Sequence, residues 1–339
     1  MAKVRGENGA RLSRRAVLQG AVIAGVAGIG APLVLHGIGG ARAATPIKLT
    51  WNANSICTVA VPVAAQRGHF EKHGLKVELI NFGGSTDQLL EAIATGKADA
   101  GVGMALRWLK PLEQGFDVKL TAGIHGGCMR LLGSKAAGIT DLKSLRGKTV
   151  AVSDMAAPDK NFFSILLQQN GIDPIKDVEW RQYPADLLGL AVQKGEAQAL
   201  AAGDPIAWLT QRKFDLAEVA TNLIGEYQHR SCCVLGVRGS LVKQDRATAT
   251  ALTRALLEAG GWVAHHPDEA AGVFSQYSTA SVADLAAMLR SHTHHHHPVG
   301  TDFKGEIARY ADELKLVQVI KPGTNSDKFA ERVYADVLS

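Results

Sequence analysis

From residue 44 onward, short apolar runs alternate with longer segments of helical periodicity. Residues 47–51 alternate apolar and polar side chains as a strand does, and residues 59–67 follow with helical spacing. Residues 75–82 repeat the strand pattern, and Ser85 begins a helix that continues through Ile93. Further strands are predicted at 98–103, 119–124 and 148–153. This succession of strands and helices predicts an α/β fold with mostly parallel sheets flanked by helices, in which ligands bind at the carboxyl ends of the strands.

The first 43 residues have the three parts of a cleavable export signal. Arg14 and Arg15 stand in a basic leader, an apolar stretch covers residues 16–35, and Ala41-Arg42-Ala43 is a small-residue cleavage site. Paired arginines are typical of the twin-arginine route, which carries folded proteins. A membrane anchor fits less well, because small residues interrupt the apolar stretch. The leader contains no cysteine for a lipid anchor. We therefore predict a twin-arginine signal peptide at 1–43 and a periplasmic location.

The leader also accounts for the basic charge of the chain. The whole sequence has a formal charge of +5, and residues 1–43 contain six basic residues and one acidic residue. The remaining chain is therefore formally neutral, so nucleic acid is not expected as a partner. The 46% of hydrophobic residues and the length beyond residue 44 suit a globular protein with well-buried cores.

Five segments of the chain carry a resemblance to a known family. They are AQRGHFEKHGLKVE at 65–78, LEAIATGKAD at 90–99, DLKSLRGKTVAV at 141–152, LLQQNGIDP at 166–174 and AVQKGE at 191–196. In this order they resemble the periplasmic solute-binding proteins of ABC importers for nitrate, alkanesulfonates and taurine. The same superfamily includes thiamine-precursor-binding proteins and thiamine-pyrimidine synthases, so the resemblance specifies a fold more closely than a ligand.

The resemblance implies a two-lobed clamshell of the two-crossover type. Lobe 1 would contain residues 44–127 plus 229–339, and lobe 2 would contain residues 128–228. The glycine-rich segment 124–128 lies between predicted strands, as a hinge should. Such a protein closes around a small-molecule solute and delivers it to the membrane permease of an ABC importer, and we expect a monomer.

The solute site is expected on loops at strand ends and helix N-termini, where backbone N–H groups favour polar ligands. Several of these residues also suit ordinary helix caps and turns. The candidate ligand-binding residues are Asn52, Asn54, Ser55, Cys57, Ser85, Thr86, Met104, His125, Cys128, Asp154, Met155, Asp159, Asp204, His229 and Cys232.

The charges on these loops bear on the nature of the solute. The loops contain Asp154 and Asp159 but no lysine or arginine. A nitrate or sulfonate would favour an arginine or lysine fork, so the loops indicate a neutral, zwitterionic or cationic solute containing nitrogen or sulfur. Arg107, Arg130 or Arg230 could still reach the site.

The four cysteines, Cys57, Cys128, Cys232 and Cys233, fall in a cleft loop and in the two predicted crossovers. Their spacing matches no zinc-finger pattern. Three interpretations stay open: a disulfide such as Cys128 with Cys232, a soft-metal site that includes His125 or His229, and buried inert thiols.

Five histidines occur within six residues, and neutral imidazole binds Zn, Cu and Ni well. The candidate metal ligands are His292, His294, His295, His296 and His297. A solvated loop that captures metal incidentally is the other interpretation. No cofactor is certain, and the alternative to solute binding is a metal- or metal-complex-binding protein of the same fold that uses these histidines and the cleft cysteines.

Catalytic motifs are missing from the sequence. It has no Gly-x-Ser-x-Gly elbow, phosphate-loop lysine motif or His-Glu-x-x-His pair. Histidine–cysteine pairs at His125/Cys128 and His229/Cys232 lack an orienting third group. We therefore expect no enzyme, and a ligand-sensing partner of a membrane receptor remains a third class with the same fold.

Overall fold

The computed structural model describes residues 46–82 and 86–339, and the side chains of residues 86 and 87 are not described. The predicted signal peptide and the candidate residue Ser85 lie outside the described residues. Thr86 begins a helix, but its side chain belongs to the part that is not described.

In the described part of the chain, ten strands form two sheets of five. The strands are β1 Ile47–Trp51, β2 Val77–Asn81, β3 Ala100–Met104, β4 Val118–His125, β5 Met129–Gly133, β6 Lys148–Val152, β7 Val178–Gln182, β8 Ala199–Gly203, β9 Ala217–Thr221 and β10 Cys233–Arg238. The first sheet has the order β2-β1-β3-β10-β4 and the second has the order β7-β6-β8-β5-β9.

The two sheets share one plan. In the first sheet β1 is parallel to β2 and β3, and β10 is antiparallel to both of its neighbours, β3 and β4. In the second sheet β6 is parallel to β7 and β8, and β5 is antiparallel to β8 and β9. Four of the five strands in each sheet therefore point the same way. The predicted fold class, two lobes with mostly parallel sheets, is confirmed.

Thirteen α-helices between residues 46 and 339 cover the sheets and form the C-terminal region. They are α1 Ala60–Gln66, α2 His69–Lys72, α3 Thr86–Ala94, α4 Ala105–Glu113, α5 Pro158–Gln169, α6 Leu188–Gln193, α7 Ile206–Phe214, α8 Gly239–Gln244, α9 Arg246–His265, α10 Pro267–Phe274, α11 Val282–Ser291, α12 Gly300–Leu316 and α13 Ser326–Val333. None of these described helices combines the length and apolar character that a membrane span requires.

Strand interiors carry the core because their side chains alternate between two faces that helices cover. Leu49 in β1 and Leu235 in β10 are fully buried, as are Trp108 on α4 and Phe163 on α5. Such large side chains stabilise the fold by roughly 1.5–3 kcal/mol each through removal of apolar surface from water.

The connection from β4 to β5 is packed too closely for side chains. A Cβ atom on Gly126 would lie 2.1 Å from the backbone oxygen of Thr293, and one on Gly127 would lie 2.5 Å from that of Asn222. The amide of Gly127 also donates to Thr293 Oγ1 at 2.8 Å. Gly126 is therefore needed for close approach of the loop that follows α11, and Gly127 for close approach of the chain that follows β9.

The C-terminal helices contact elements of both sheets. Asp284 on α11 accepts hydrogen bonds from Trp208 and Arg212 on α7, which follows a strand of the second sheet. α12 and α13 pack against β4 of the first sheet. Contacts that link the two halves therefore include α11 and α12, in addition to the chain crossovers and the packing of α4 on α5.

Candidate functional site

A cavity of about 450 Å³ lies between the carboxyl ends of the two sheets. The first half contributes the turn after β1, the end of β3 and the start of α4, and the second half contributes the loops after β6 and β8. The polar and sulfur-containing lining residues are Asn52, Asn54, Ser55, Met104, Arg107, Cys128, Ser153, Asp154, Asp159, Gln182 and Asp204.

The turn after β1 is held by its own polar side chains. Asn52 Oδ1 accepts a hydrogen bond from the amide of Asn54 at 2.9 Å, and Asn52 Nδ2 donates to Ser55 Oγ at 3.3 Å. Asn81 Oδ1 fixes the turn to β2 by accepting from the amide of Ala53. The turn is therefore preformed, and it presents amide and hydroxyl groups to the cavity.

Arg107 and Asp154 face each other across the cavity. Arg107 Nη2 lies 3.1 Å from Asp154 Oδ2, and this ion pair joins α4 of the first half to the loop after β6 in the second half. The Arg107 side chain is 11% exposed, whereas that of Asp154 is 51% exposed. Of the three arginines that could reach the site, Arg107 lines the cavity, and its guanidinium is already paired with a carboxylate.

Asp159 is the second acidic side chain of the cavity. It is buried at the first turn of α5, and its Oδ1 accepts a hydrogen bond from the amide of Lys160 at 2.7 Å. Burial raises the pKa of this carboxyl to about 7 despite that hydrogen bond. No ion pair of the described residues involves Asp159, so its proton or charge is available to a ligand.

Asp204 closes the base of the cavity and belongs to a buried network. Its carboxylate accepts hydrogen bonds from Arg130 Nε at 3.1 Å and is bonded to His292 Nε2 at 2.9 Å. Burial alone would raise its pKa, but the bonds to His292 and Arg130 hold the pKa of Asp204 below its ordinary value. Arg130 Nη1 also pairs with Glu218 Oε2 at 2.5 Å. The carboxylate of Asp204 is therefore part of a network of protein groups and is already engaged in hydrogen bonds within the protein.

The four cysteines lie beside one another behind the cavity. Hydrogen bonds link Cys57 to Cys128 and Cys233, and Cys232 to Cys128 and Cys233. All four are buried free thiols, so a Cys128–Cys232 disulfide is not present. Hydrogen bonds from Cys232 and Cys57 lower the pKa of the Cys233 thiol to about 6. The structure thus brings together all four residues that the sequence separates, and of these Cys128 lines the cavity.

The five neighbouring histidines do not form one cluster. His292 and His294 turn inward and lie against His125, whereas His295 is exposed and its ring contacts that of His265. His296 Nε2 is bonded to Glu306, and His297 lies near Gly260 of α9. His295 and His296 thus point away from the inward pair, whereas His297 lies close to it but is not part of the three-histidine group.

Five of the candidate residues with described side chains lie away from the cavity lining, namely Cys57, His125, Met155, His229 and Cys232. Met155 is 46% exposed and faces a shallow pocket with Ile175 and Trp180. His229 is exposed at the end of a 3-10 turn, and Cys232 is buried in the thiol group. Ser153, which follows β6, and Gln182, which ends β7, also line the cavity and are not among the candidate residues. Arg107, one of the three arginines that could reach the site, lies one turn after the predicted strand at 98–103.

Comparison with known proteins identifies a family and a fold. The model of the family described as "NMT1/THI5 like" matches residues 58–270. The periplasmic aliphatic sulphonate binding protein SsuA from Escherichia coli is 15% identical with a TM-score of 0.71, over 86% of this chain and 92% of that chain. The periplasmic nitrate-binding protein NrtA from Synechocystis PCC 6803 is 15% identical with a TM-score of 0.71, over 87% of both chains.

Two further solved structures broaden the range of activities on this fold. The ligand binding component of an ABC-type import system from Staphylococcus aureus, with zinc bound, is 14% identical with a TM-score of 0.70, over 87% of this chain and 98% of that chain. The desulfurization enzyme DSZB is 16% identical with a TM-score of 0.61, over 86% and 97%. No curated protein matches this chain in sequence.

Proposed function

The chain belongs to the NMT1/THI5-like family, and we propose that it is the periplasmic solute-binding component of an ABC importer. The observation that carries this proposal is the cavity of about 450 Å³, which both sheets line and which the Arg107–Asp154 pair spans. A solute that contacts both halves stabilises the closed arrangement, which is what an importer permease recognises in such a protein. The sulphonate- and nitrate-binding structures with this fold support the proposal.

The cavity favours a small polar solute that contains nitrogen and donates hydrogen bonds. Asp159 and the half-exposed Asp154 offer acceptor oxygens, and Asn52 and Gln182 offer amide groups. The guanidinium of Arg107 is neutralised by Asp154, so a fully ionised sulfonate or nitrate would meet little net positive charge. An amine, amidine or aminopyrimidine fits this lining better than a sulfur-containing strong acid does.

A panel of solutes tests the proposal. We expect amines, amidines and aminopyrimidines to raise the melting temperature of the exported protein, because a ligand that binds only the folded state adds stability by mass action. Nitrate, taurine and alkanesulfonates should produce smaller shifts. Titration calorimetry on each compound that shifts melting then gives the stoichiometry, which should be one solute per chain. If no compound of any class shifts melting, solute transport as proposed here is wrong.

Matched aspartate variants locate the bound solute. Asp159→Asn should weaken binding of a cationic solute at least tenfold, whereas Asp302→Asn, at an exposed position in the first turn of α12, should leave binding unchanged. Equal binding by wild type and Asp159→Asn would show that the solute does not use this carboxylate. If a sulfonate bound tightly to wild type and more weakly to Arg107→Gln, the solute would be a sulfur-containing acid and not the nitrogen-containing compound proposed here.

We propose no catalytic activity for this site. The histidine–cysteine pairs that could have supplied a nucleophile are not formed, because the ring of His125 packs on His292 and His294 and His229 is exposed. A ligand-sensing role would use the same cavity. Deletion of the gene separates the two: loss of solute uptake supports transport, whereas unchanged uptake with a lost response to solute supports sensing.

Export and oligomeric state complete the proposal. The twin-arginine leader predicted at 1–43 would deliver the folded chain to the periplasm, where we expect a monomer. Substituting Arg14 and Arg15 by lysine should abolish export, and size-exclusion chromatography with light scattering gives the mass. The alternative, a metal- or metal-complex-binding protein that uses the histidines at 292–297 and the cleft cysteines, finds less support as a cargo site, because no histidine of the described residues lines the cavity.

A further inference from the structure

Three buried imidazoles meet behind the base of the cavity. His125 ends β4, and His292 and His294 follow α11; one ring nitrogen of each lies within 4.8 Å of those of the other two. The ring centroid of His125 lies 5.2 Å from that of His292 and 4.6 Å from that of His294. The three residues are 2%, 6% and 4% exposed. Such a group differs from surface histidines that capture metal incidentally.

Each of the three rings has a buried nitrogen that forms no hydrogen bond within the described residues. These atoms are His125 Nε2, His292 Nδ1 and His294 Nε2. Buried polar atoms in folded proteins almost always have a partner, and leaving one unpaired costs about 1–3 kcal/mol. Three unpaired nitrogens on adjacent rings would be costly for packing alone, and coordination to one metal ion would satisfy all three.

The opposite nitrogens of two rings are oriented by the protein. His125 Nδ1 is hydrogen-bonded to the backbone oxygen of Gly126 at 2.8 Å, and His292 Nε2 is bonded to Asp204 Oδ2 at 2.9 Å. A carbonyl or carboxylate behind an imidazole is the usual arrangement around metal-binding histidines, since it fixes the tautomer and makes the free nitrogen a better ligand. The free nitrogens are therefore held with their lone pairs available.

The donor set indicates which metal suits the site. Each of the three residues offers one ring nitrogen, and within the described residues the group contains neither a cysteine nor a carboxylate. Three nitrogen donors without an oxygen ligand suit zinc or copper and disfavour magnesium and calcium.

We infer that His125, His292 and His294 form a binding site for one zinc- or copper-type transition metal ion. This site goes beyond the proposed solute function and does not depend on it. It joins β4 to the loop after α11, next to the Gly126–Gly127 crossover. Through Asp204 it also touches the base of the solute cavity. Metal bound there would fix the hinge region and the buried network behind the cavity.

Metal titration of the exported protein, purified without a polyhistidine tag and stripped with chelator, tests the site. We expect one equivalent of Zn²⁺ to bind and to raise the melting temperature. His294→Ala and His125→Ala should each weaken Zn²⁺ binding by about 100-fold or more, on the scale of losses seen at metal sites. The matched control is His295→Ala, an exposed histidine of the same loop, which should bind like wild type.

Cobalt serves as a spectroscopic probe that needs no variant to fold. Three imidazole ligands give Co²⁺ weak visible bands, whereas thiolate ligands add an intense near-ultraviolet charge-transfer band. We expect the visible bands without the charge-transfer band. A strong charge-transfer band would place the metal on the cysteines instead and overturn the inference. Wild type that binds no Zn²⁺ and no Cu²⁺, or binding lost equally in His295→Ala, would also overturn it.

Discussion

His292 Nε2 lies 2.9 Å from Asp204 Oδ2, so a buried histidine stands directly behind a carboxylate that lines the solute cavity. The same carboxylate accepts hydrogen bonds from Arg130. Asp204 follows β8 in the second half, whereas His292 belongs to the C-terminal region after α11. The base of the cavity is thus built from residues far apart in sequence, and a change in this network should reach both the cavity and the three-histidine group.

Asp159→Asn should stabilise the protein, and more so as pH rises. Burial raises the folded-state pKa of Asp159 to about 7, above the ordinary value of 3.8. Its contribution to stability is therefore present in full below pH 4 and is lost as pH rises through 7. Asparagine cannot ionise, so the variant avoids this loss of folding free energy. From the size of the pKa shift, the loss in wild type is up to about 4 kcal/mol at pH 8. Urea unfolding at pH 4, 6 and 8 measures it.

The control for this prediction is Asp302→Asn at an exposed position. Its free energy of unfolding should differ from that of wild type by a similar small amount at all three pH values. A constant difference between Asp159→Asn and wild type from pH 4 to pH 8 would contradict the raised pKa.

Sequence patterns predicted the strands well because each strand lies under helices and alternates its side chains. The observed ends of the strands differ from the predicted ends where specific contacts determine them. The strand expected at 98–103 starts at Ala100, since Asp99 accepts a hydrogen bond from the amide of Lys48 and pairs with Arg238. The strand expected at 119–124 extends to His125, whose register with Cys233 of β10 is a long-range pairing. No local pattern contains that information.

The candidate site was predictable only where it lies at strand ends. Asn52, Asp154 and Asp204 follow strands, so the α/β architecture brings them to one cavity. Arg107 could be named only as one of three arginines that could reach the site, because it lies on the helix after a strand and not on a strand-end loop. His125 lies close to His292 and His294 because the loop after α11 packs on the crossover. Sequence spacing cannot specify such a contact.

Arg107→Gln should weaken solute binding without a large loss of stability. The Arg107–Asp154 pair spans the cavity, but Asp154 is half exposed, so the pair contributes no more than about 1 kcal/mol to folding. Binding of the solute should fall at least tenfold by calorimetry, since the group that joins the two halves is lost. Arg212→Gln, which removes an exposed guanidinium paired with Asp284, should leave affinity unchanged. Equal affinity of wild type and Arg107→Gln would exclude Arg107 from the binding contact.

Arg130→Met should strongly destabilise the protein. Arg130 is buried against Asp204 and Glu218, and its removal leaves the buried carboxylate of Asp204 without a guanidinium partner. Breaking a buried pair in this way costs about 3–5 kcal/mol. The free energy of unfolding in urea gives the value. Arg290→Met, which removes an exposed partner of Asp268, should cost less than about 1 kcal/mol. Similar losses in the two variants would mean that Asp204 is not held as a buried charge.

Gly126→Ala should disturb the crossover, whereas Gly261→Ala should be tolerated. A Cβ atom on Gly126 would lie 2.1 Å from both the backbone oxygen and Oγ1 of Thr293, so the loop that carries His292 and His294 must move. Gly261 lies within α9 with no atom near its missing Cβ, and alanine there should add about 0.5–1 kcal/mol through its better helix propensity. Thermal unfolding of both variants, with and without Zn²⁺, separates the effects. Gly126→Ala should lower the melting temperature and reduce the shift that Zn²⁺ produces, because the displaced loop carries two of the three ligands. An unchanged Zn²⁺ shift in a destabilised Gly126→Ala protein would show that the histidine loop does not depend on the crossover for its position.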